Sequence, residues 1–98
     1  MAGIRWTRED TIIVLDLYLT RPFRTFSKKD PQVVALARRL RRTNQSIWMK
    51  ISNFATLDPN SGVEGLPHIS ALDVSVWNEF SGRRQELAKV AAGMLARL

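Results

Sequence analysis

The stretch from Asp30 to Asp58, DPQVVALARRLRRTNQSIWMKISNFATLD, carries the pattern from which the fold is read. Asp30-Pro31 is a helix start. Aspartate is a good N-cap, and proline fits the first helical position, where its missing N–H would have no intrahelical partner anyway. Val33, Leu36, Ala37 and Leu40 then recur at helical spacing, while Arg38, Arg39 and Arg42 fall away from that face. The pattern breaks at Arg42-Thr43-Asn44, and Thr43 or Asn44 can cap a second helix over about residues 45–56. On that helix Ile47, Ile51 and Phe54 face inward at i, i+4, i+7. This leaves Gln45, Met49, Ser52, Asn53 and Thr56 on the opposite side. A connection of two or three residues forces the helices to cross sharply, as in a helix-turn-helix.

Upstream, Trp6 opens the structured part. Thr7-Arg8-Glu9-Asp10 has the form of a capping box: the Thr7 hydroxyl can accept from a free backbone N–H and Asp10 can reach back. The helix that follows runs to about Leu19. Its apolar residues, from Ile12 to Leu19, nearly encircle it, which predicts burial on more than one side. Arg21-Pro22 ends it, because the residue before proline is pushed out of the helical region. Phe23 and Phe26 in the loop 21–29 are expected to anchor that loop to the core, among Arg21, Arg24, Lys28 and Lys29.

Downstream, Leu57 to Gly62 is a turn cluster, and the stretch to Pro67 reads as a surface loop able to form a wing-like excursion. His68 reads as a loop or cap residue. Ser70-Ala71-Leu72-Asp73 is a second capping box, opening a helix to about Phe80 with Leu72, Val76, Trp77 and Phe80 inward. Residues 83–98 carry Leu87, Val90, Met94 and Leu95 or Leu98 along one seam. That segment can pack back on the domain, pair with a second copy, or continue as a linker helix. The expected fold is all-α, a single domain over residues 1–98. A three-helix helix-turn-helix core lies within about residues 6–80, followed by one or two additional C-terminal helices.

The 98 residues suit one domain with a modest core, and 45% apolar residues are enough to fold it. There is no cysteine, so disulfides and thiolate metal sites are excluded. No apolar run approaches about 18 residues, so no membrane span is expected. The N-terminus lacks a signal-peptide apolar core, and a cytoplasmic protein is expected.

Charge is lopsided. Residues 1–50 hold 11 Lys/Arg against 4 Asp/Glu, and residues 51–98 hold 4 against 5. A net charge of +6 concentrated on a helical hairpin points to a polyanion partner. Gln and Asn can pair with adenine and Met can touch a thymine methyl, so Gln45, Met49, Ser52 and Asn53 are the expected base-reading residues. Lys28, Lys29, Arg38, Arg39, Arg41, Arg42, Thr43, Ser46 and Lys50 are the expected phosphate contacts, and double-stranded DNA the expected partner. No Ser/His/Asp set, paired carboxylates, Gly-rich phosphate loop or metal-ligand spacing occurs. No catalysis, metal or cofactor is expected.

Trp6-Thr7-Arg8-Glu9-Asp10, Leu36-Ala37 and Arg42-Thr43-Asn44-Gln45-Ser46-Ile47 resemble the Myb/SANT and homeodomain-like three-helix pattern. More closely, Trp6-Thr7-Arg8-Glu9, Leu17-Tyr18-Leu19, Pro22-Phe23, Leu36-Ala37, Arg42-Thr43, Ser46-Ile47 and the run Met49-Lys50-Ile51-Ser52-Asn53-Phe54-Ala55-Thr56-Leu57-Asp58-Pro59 resemble a particular N-terminal domain, the one attached to bacterial HNH endonucleases of the restriction type; Asn44 and Trp48 depart from that pattern. Gly65-Leu66, Leu72-Asp73, Val76-Trp77 and Phe80 fit the same pattern, which covers about residues 6–80. The resemblance implies DNA binding through this domain, with cleavage by a separate module, fused or in a partner chain. It also implies that a modified base can be the target. The chain has one histidine and carries no HNH module. Two other readings stay open: a SANT-like protein-interaction module, and a small regulator forming a homodimer through residues 83–98. Against the first stands helix 45–56, which contains Lys50 and no acid.

Overall fold

A computed structural model describes residues 5–64 and 69–98, which form five α-helices and no strand. The first helix, α1 (Arg8–Tyr18), begins at Thr7, whose hydroxyl accepts from the Asp10 N–H at 3.1 Å. Asp10 does not reach back to the cap as expected; its carboxylate lies 3.3 Å from the Arg42 guanidinium. Thr11, Ile12, Ile13, Val14 and Leu15 are buried in succession, because α1 is covered on several sides by later helices. A short 3-10 turn over Phe23–Thr25 follows. Both phenylalanines anchor the loop. Phe26 is buried beneath the Arg21 guanidinium at 4.0 Å, and Phe23 stacks on Trp48 with ring centroids 5.2 Å apart.

Helix α2 (Pro31–Leu40) starts as the sequence predicts, with the Asp30 carboxylate accepting from the Gln32 and Val33 N–H groups at 2.9 and 3.3 Å. Arg21 binds the same carboxylate at 2.6 Å and holds it below the usual carboxylate range. At the other end Arg41 takes a left-handed conformation, φ 58 and ψ 44. The Arg42 N–H then bonds Ala37 O at 2.8 Å and the Arg41 N–H bonds Arg38 O at 3.3 Å. This is a Schellman closure with arginine where glycine is usual. Thr43 is extended, and its hydroxyl accepts from the Ser46 N–H at 3.0 Å, opening α3 (Asn44–Leu57). The connection between α2 and α3 is thus residues 41–43.

Helix α3 packs against α1, α2 and α4 and contributes Ile47, Ile51, Phe54 and Ala55 to the core. Tyr18, Phe54 and Trp77 form an aromatic cluster with centroids 6.2 to 6.3 Å apart. Helix α4 (Ala71–Phe80) begins with the predicted capping box: the Ser70 hydroxyl accepts from the Asp73 N–H and the Asp73 carboxylate accepts from the Ser70 N–H, both at 3.1 Å. Helix α5 (Arg84–Ala96) buries Leu87 and Ala91 and lies against α1 and α4, while Val90, Met94 and Leu95 are half-buried and Leu98 is exposed. The loop residues Gly65, Leu66 and Pro67, and His68, lie outside the described residues. None of the described helices is long and apolar enough to cross a membrane.

Candidate nucleic-acid interface

The residues that the sequence assigns to a DNA-reading surface separate into two groups, those that face outward and those that hold the domain together. Asn44 and Gln45 are exposed in the first turn of α3, and Met49 is half-buried one turn further on. Ser52 and Asn53 are not on an open face; they are 6% and 5% exposed. The Ser52 hydroxyl donates back to Trp48 O at 2.9 Å, as serine does inside a helix. The Asn53 amide donates to the Asp73 carboxylate at 3.0 Å. Helix α4 packs on α3, and Phe23 stacks on Trp48 in its second turn; from Lys50 to Ala55 every residue of α3 is buried. The outward surface of α3 is therefore its first turn and a half.

The basic residues divide in the same way. Lys50 is buried on α3, and its ammonium lies 2.5 Å from the Asp73 carboxylate and 4.7 Å from the centroid of Trp6. Arg42 has a side chain 3% exposed; its guanidinium lies 3.8 Å over the Trp6 ring and donates to Arg5 O at 2.9 Å and to Asp10 at 3.3 Å. Neither cation is placed to meet a phosphate, which corrects the sequence reading for both. The physical cause is shared: both cations lie against the Trp6 ring, and each has a helical carboxylate, Asp10 or Asp73, to neutralise it. Thr43 is exposed, but its hydroxyl serves the helix cap, and Ser46 is half-buried behind it.

Arg38, Arg39 and Arg41 come together around one depression of about 570 Å³, which Asp10 and Leu98 also line. Arg38 and Arg41 are exposed and carry no ion pair among the described residues. Arg39 is exposed as well, and its guanidinium donates to Leu95 O at 2.6 Å. This cluster ends α2 and leads directly into the exposed first turn of α3. Lys28 and Lys29 are exposed but sit ahead of α2, about 15 Å from the connection for a helix of this length. No group of His, Cys, Asp or Glu among the described residues is placed to hold a metal ion.

No family model, curated protein or solved structure matches the chain.

Asn44, which the sequence offers as an alternative cap to Thr43, is instead a surface residue of the first turn of α3. The structural role of Lys50 and Asn53 had one signal in the sequence: Asp73, placed by a capping box at the start of α4, is a buried carboxylate that needs donors. Nothing in the periodicity of α3 shows that α4 brings it there.

Proposed function

We propose that this protein binds double-stranded DNA through a helix-turn-helix made of α2, residues 41–43 and α3. The observation that carries the reading is the placement of Arg38, Arg39 and Arg41 around one depression immediately ahead of the exposed turn bearing Asn44 and Gln45. In such motifs the N-terminal residues of the second helix reach base edges while flanking cations meet the phosphates. Asn44 and Gln45 offer amide pairs suited to adenine, and Met49 offers an apolar contact for a thymine or modified-cytosine methyl. Lys50, Arg42, Ser52 and Asn53 take no part in contact; they hold α3, α4 and the N-terminal segment in register. The resemblance to the domain of restriction-type HNH nucleases extends the proposal: the chain is a target-recognition module whose catalytic partner is carried separately.

The test is a fluorescence-polarisation titration against pools of random duplexes, unmodified and cytosine-modified, across a range of salt. Three arginines at the phosphates give a slope of log K against log salt of about −2.7. A binding constant that ignores salt, or no binding at low salt, rejects the reading.

A further inference from the structure

A second surface lies on the outer side of α1, between α2 and α5. Ile13, Asp16 and Leu17 fall at i, i+3, i+4 on α1 and, with Thr20 in the turn that follows, form the floor of a groove of about 370 Å³. Leu36 and its neighbours on α2 make one wall, and Leu95 on α5 makes the other. The bond from Arg39 to Leu95 O joins the two walls. Leu17, Leu36 and Leu95 are only half-buried here, so the floor is apolar and open.

Asp16 is the anomaly. It is half-buried among these apolar side chains, and no hydrogen bond or ion pair reaches its carboxylate among the described residues. Burial pushes its carboxyl above the usual range, and the charge of Arg84 only partly opposes this. A carboxylate held in apolar surroundings without a partner costs free energy that a cation would recover. Yet the chain has 15 Lys and Arg, and none is placed on it. Arg39, which lines the groove, donates to Leu95 O, and Arg84, whose charge acts on Asp16, donates to Leu19 O.

We propose that this groove docks an amphipathic helix of a partner protein, with one Lys or Arg of that helix on Asp16 and its apolar stripe on Leu17, Leu36 and Leu95. The chemistry selects among occupants. A nucleic acid is disfavoured by the carboxylate and the apolar floor. An extended peptide would need a strand edge to pair with, and the walls are helices. A helix presents apolar residues at the spacing of the floor and can carry one cation among them. The groove is built from α1, α2 and α5 and the DNA-reading turn is on α3; Ala35 and Arg39 line both the groove and the basic depression, so the two surfaces adjoin on α2.

The probe is a phage-displayed library of amphipathic helices selected on the intact chain. The selected helices are expected to carry Lys or Arg at one fixed place in an apolar stripe. Asp16→Asn should weaken a selected peptide about tenfold, and Asp16→Lys should enrich Asp or Glu at that place instead. Leu36→Glu should abolish binding while the helical circular-dichroism signal is kept. Selected helices without a fixed cation, or selection indifferent to Asp16→Lys, overturn the proposal. So does a mass that doubles with concentration and returns to monomer in Leu36→Glu, which would make the occupant a second copy.

Discussion

Lys50 on α3 and Asp73 on α4 form a buried ion pair, with side chains 5% and 0% exposed. Asp73 receives Lys50, Asn53 and the Ser70 N–H together, so one carboxylate closes a helix cap and ties two helices. Removing either partner leaves an uncompensated charge in a low dielectric. Lys50→Ala or Asp73→Ala should each cost about 3–5 kcal/mol in urea unfolding, and the double variant less than the sum. Lys50→Met is the discriminating variant for function. It should lower stability and leave the salt slope of DNA binding unchanged, whereas a phosphate contact would lose about 0.9 of a unit.

Tyr18 donates to the Asp58 carboxylate at 2.7 Å across the join of α1 and α3. Burial, then the Asp58 bond and its charge, push the phenol far above its ordinary value of 10.0. Below that value the folded and unfolded chains both hold the proton. Above it the unfolded chain releases a proton that the folded one keeps, so stability falls as pH rises through the alkaline range. Tyr18 is the only tyrosine, which makes the absorbance titration of tyrosinate a direct readout. The expected curve is displaced upward and steepens where the protein unfolds. An ordinary midpoint in folded protein would show that the bond to Asp58 is not formed in solution.

Gln45 and Asn53 test the division of α3 into an outward turn and an inward half. Gln45→Ala should relax base preference at one position by about 1–3 kcal/mol. Its effect on stability should stay within about 0.5 kcal/mol, because the site is exposed. Asn53→Ala should do the reverse, costing about 1–3 kcal/mol in stability through the bond lost to Asp73 while the ranking of competitor duplexes is kept. Competition binding and denaturation on the same two variants decide it, and an exchange of these two patterns would restore Asn53 to the reading face.

These contrasts mark where the sequence was legible. The caps at Thr7, Asp30, Thr43 and Ser70 were readable because each is chemistry between residues two or three apart. The encirclement of α1 by apolar residues foretold its burial. The inward half of α3 was not readable from the spacing of Ile47, Ile51 and Phe54. That stripe fixes one buried face but not how far neighbouring helices wrap around it. Lys50 and Asn53 look like surface residues until Asp73 arrives from 23 and 20 residues away. Arg42 likewise reads as one of four similar arginines, and only the stacking on Trp6 sets it apart. Side chains that carry charge are assigned by their partners, and the partners are distant in sequence.

Arg41 joins stability to the proposed function. It is the only non-glycine residue with positive φ among the described residues, at 58°, and it sits in the connection that leads into α3. For an L-residue this conformation costs about 1–2 kcal/mol, against roughly 0.5–1 kcal/mol for the extra chain entropy that glycine loses. Arg41→Gly should therefore raise stability by up to about 1.5 kcal/mol. If the side chain meets a phosphate, the same variant should weaken DNA binding and reduce the salt slope by about 0.9. Arg41→Asn separates the two effects, since asparagine tolerates the left-handed backbone but brings no charge. Both variants are expected to bind more weakly than the native chain in proportion to the lost charge and regardless of their stability. Equal affinity across all three proteins would remove Arg41 from the interface and leave its conformation without a functional account.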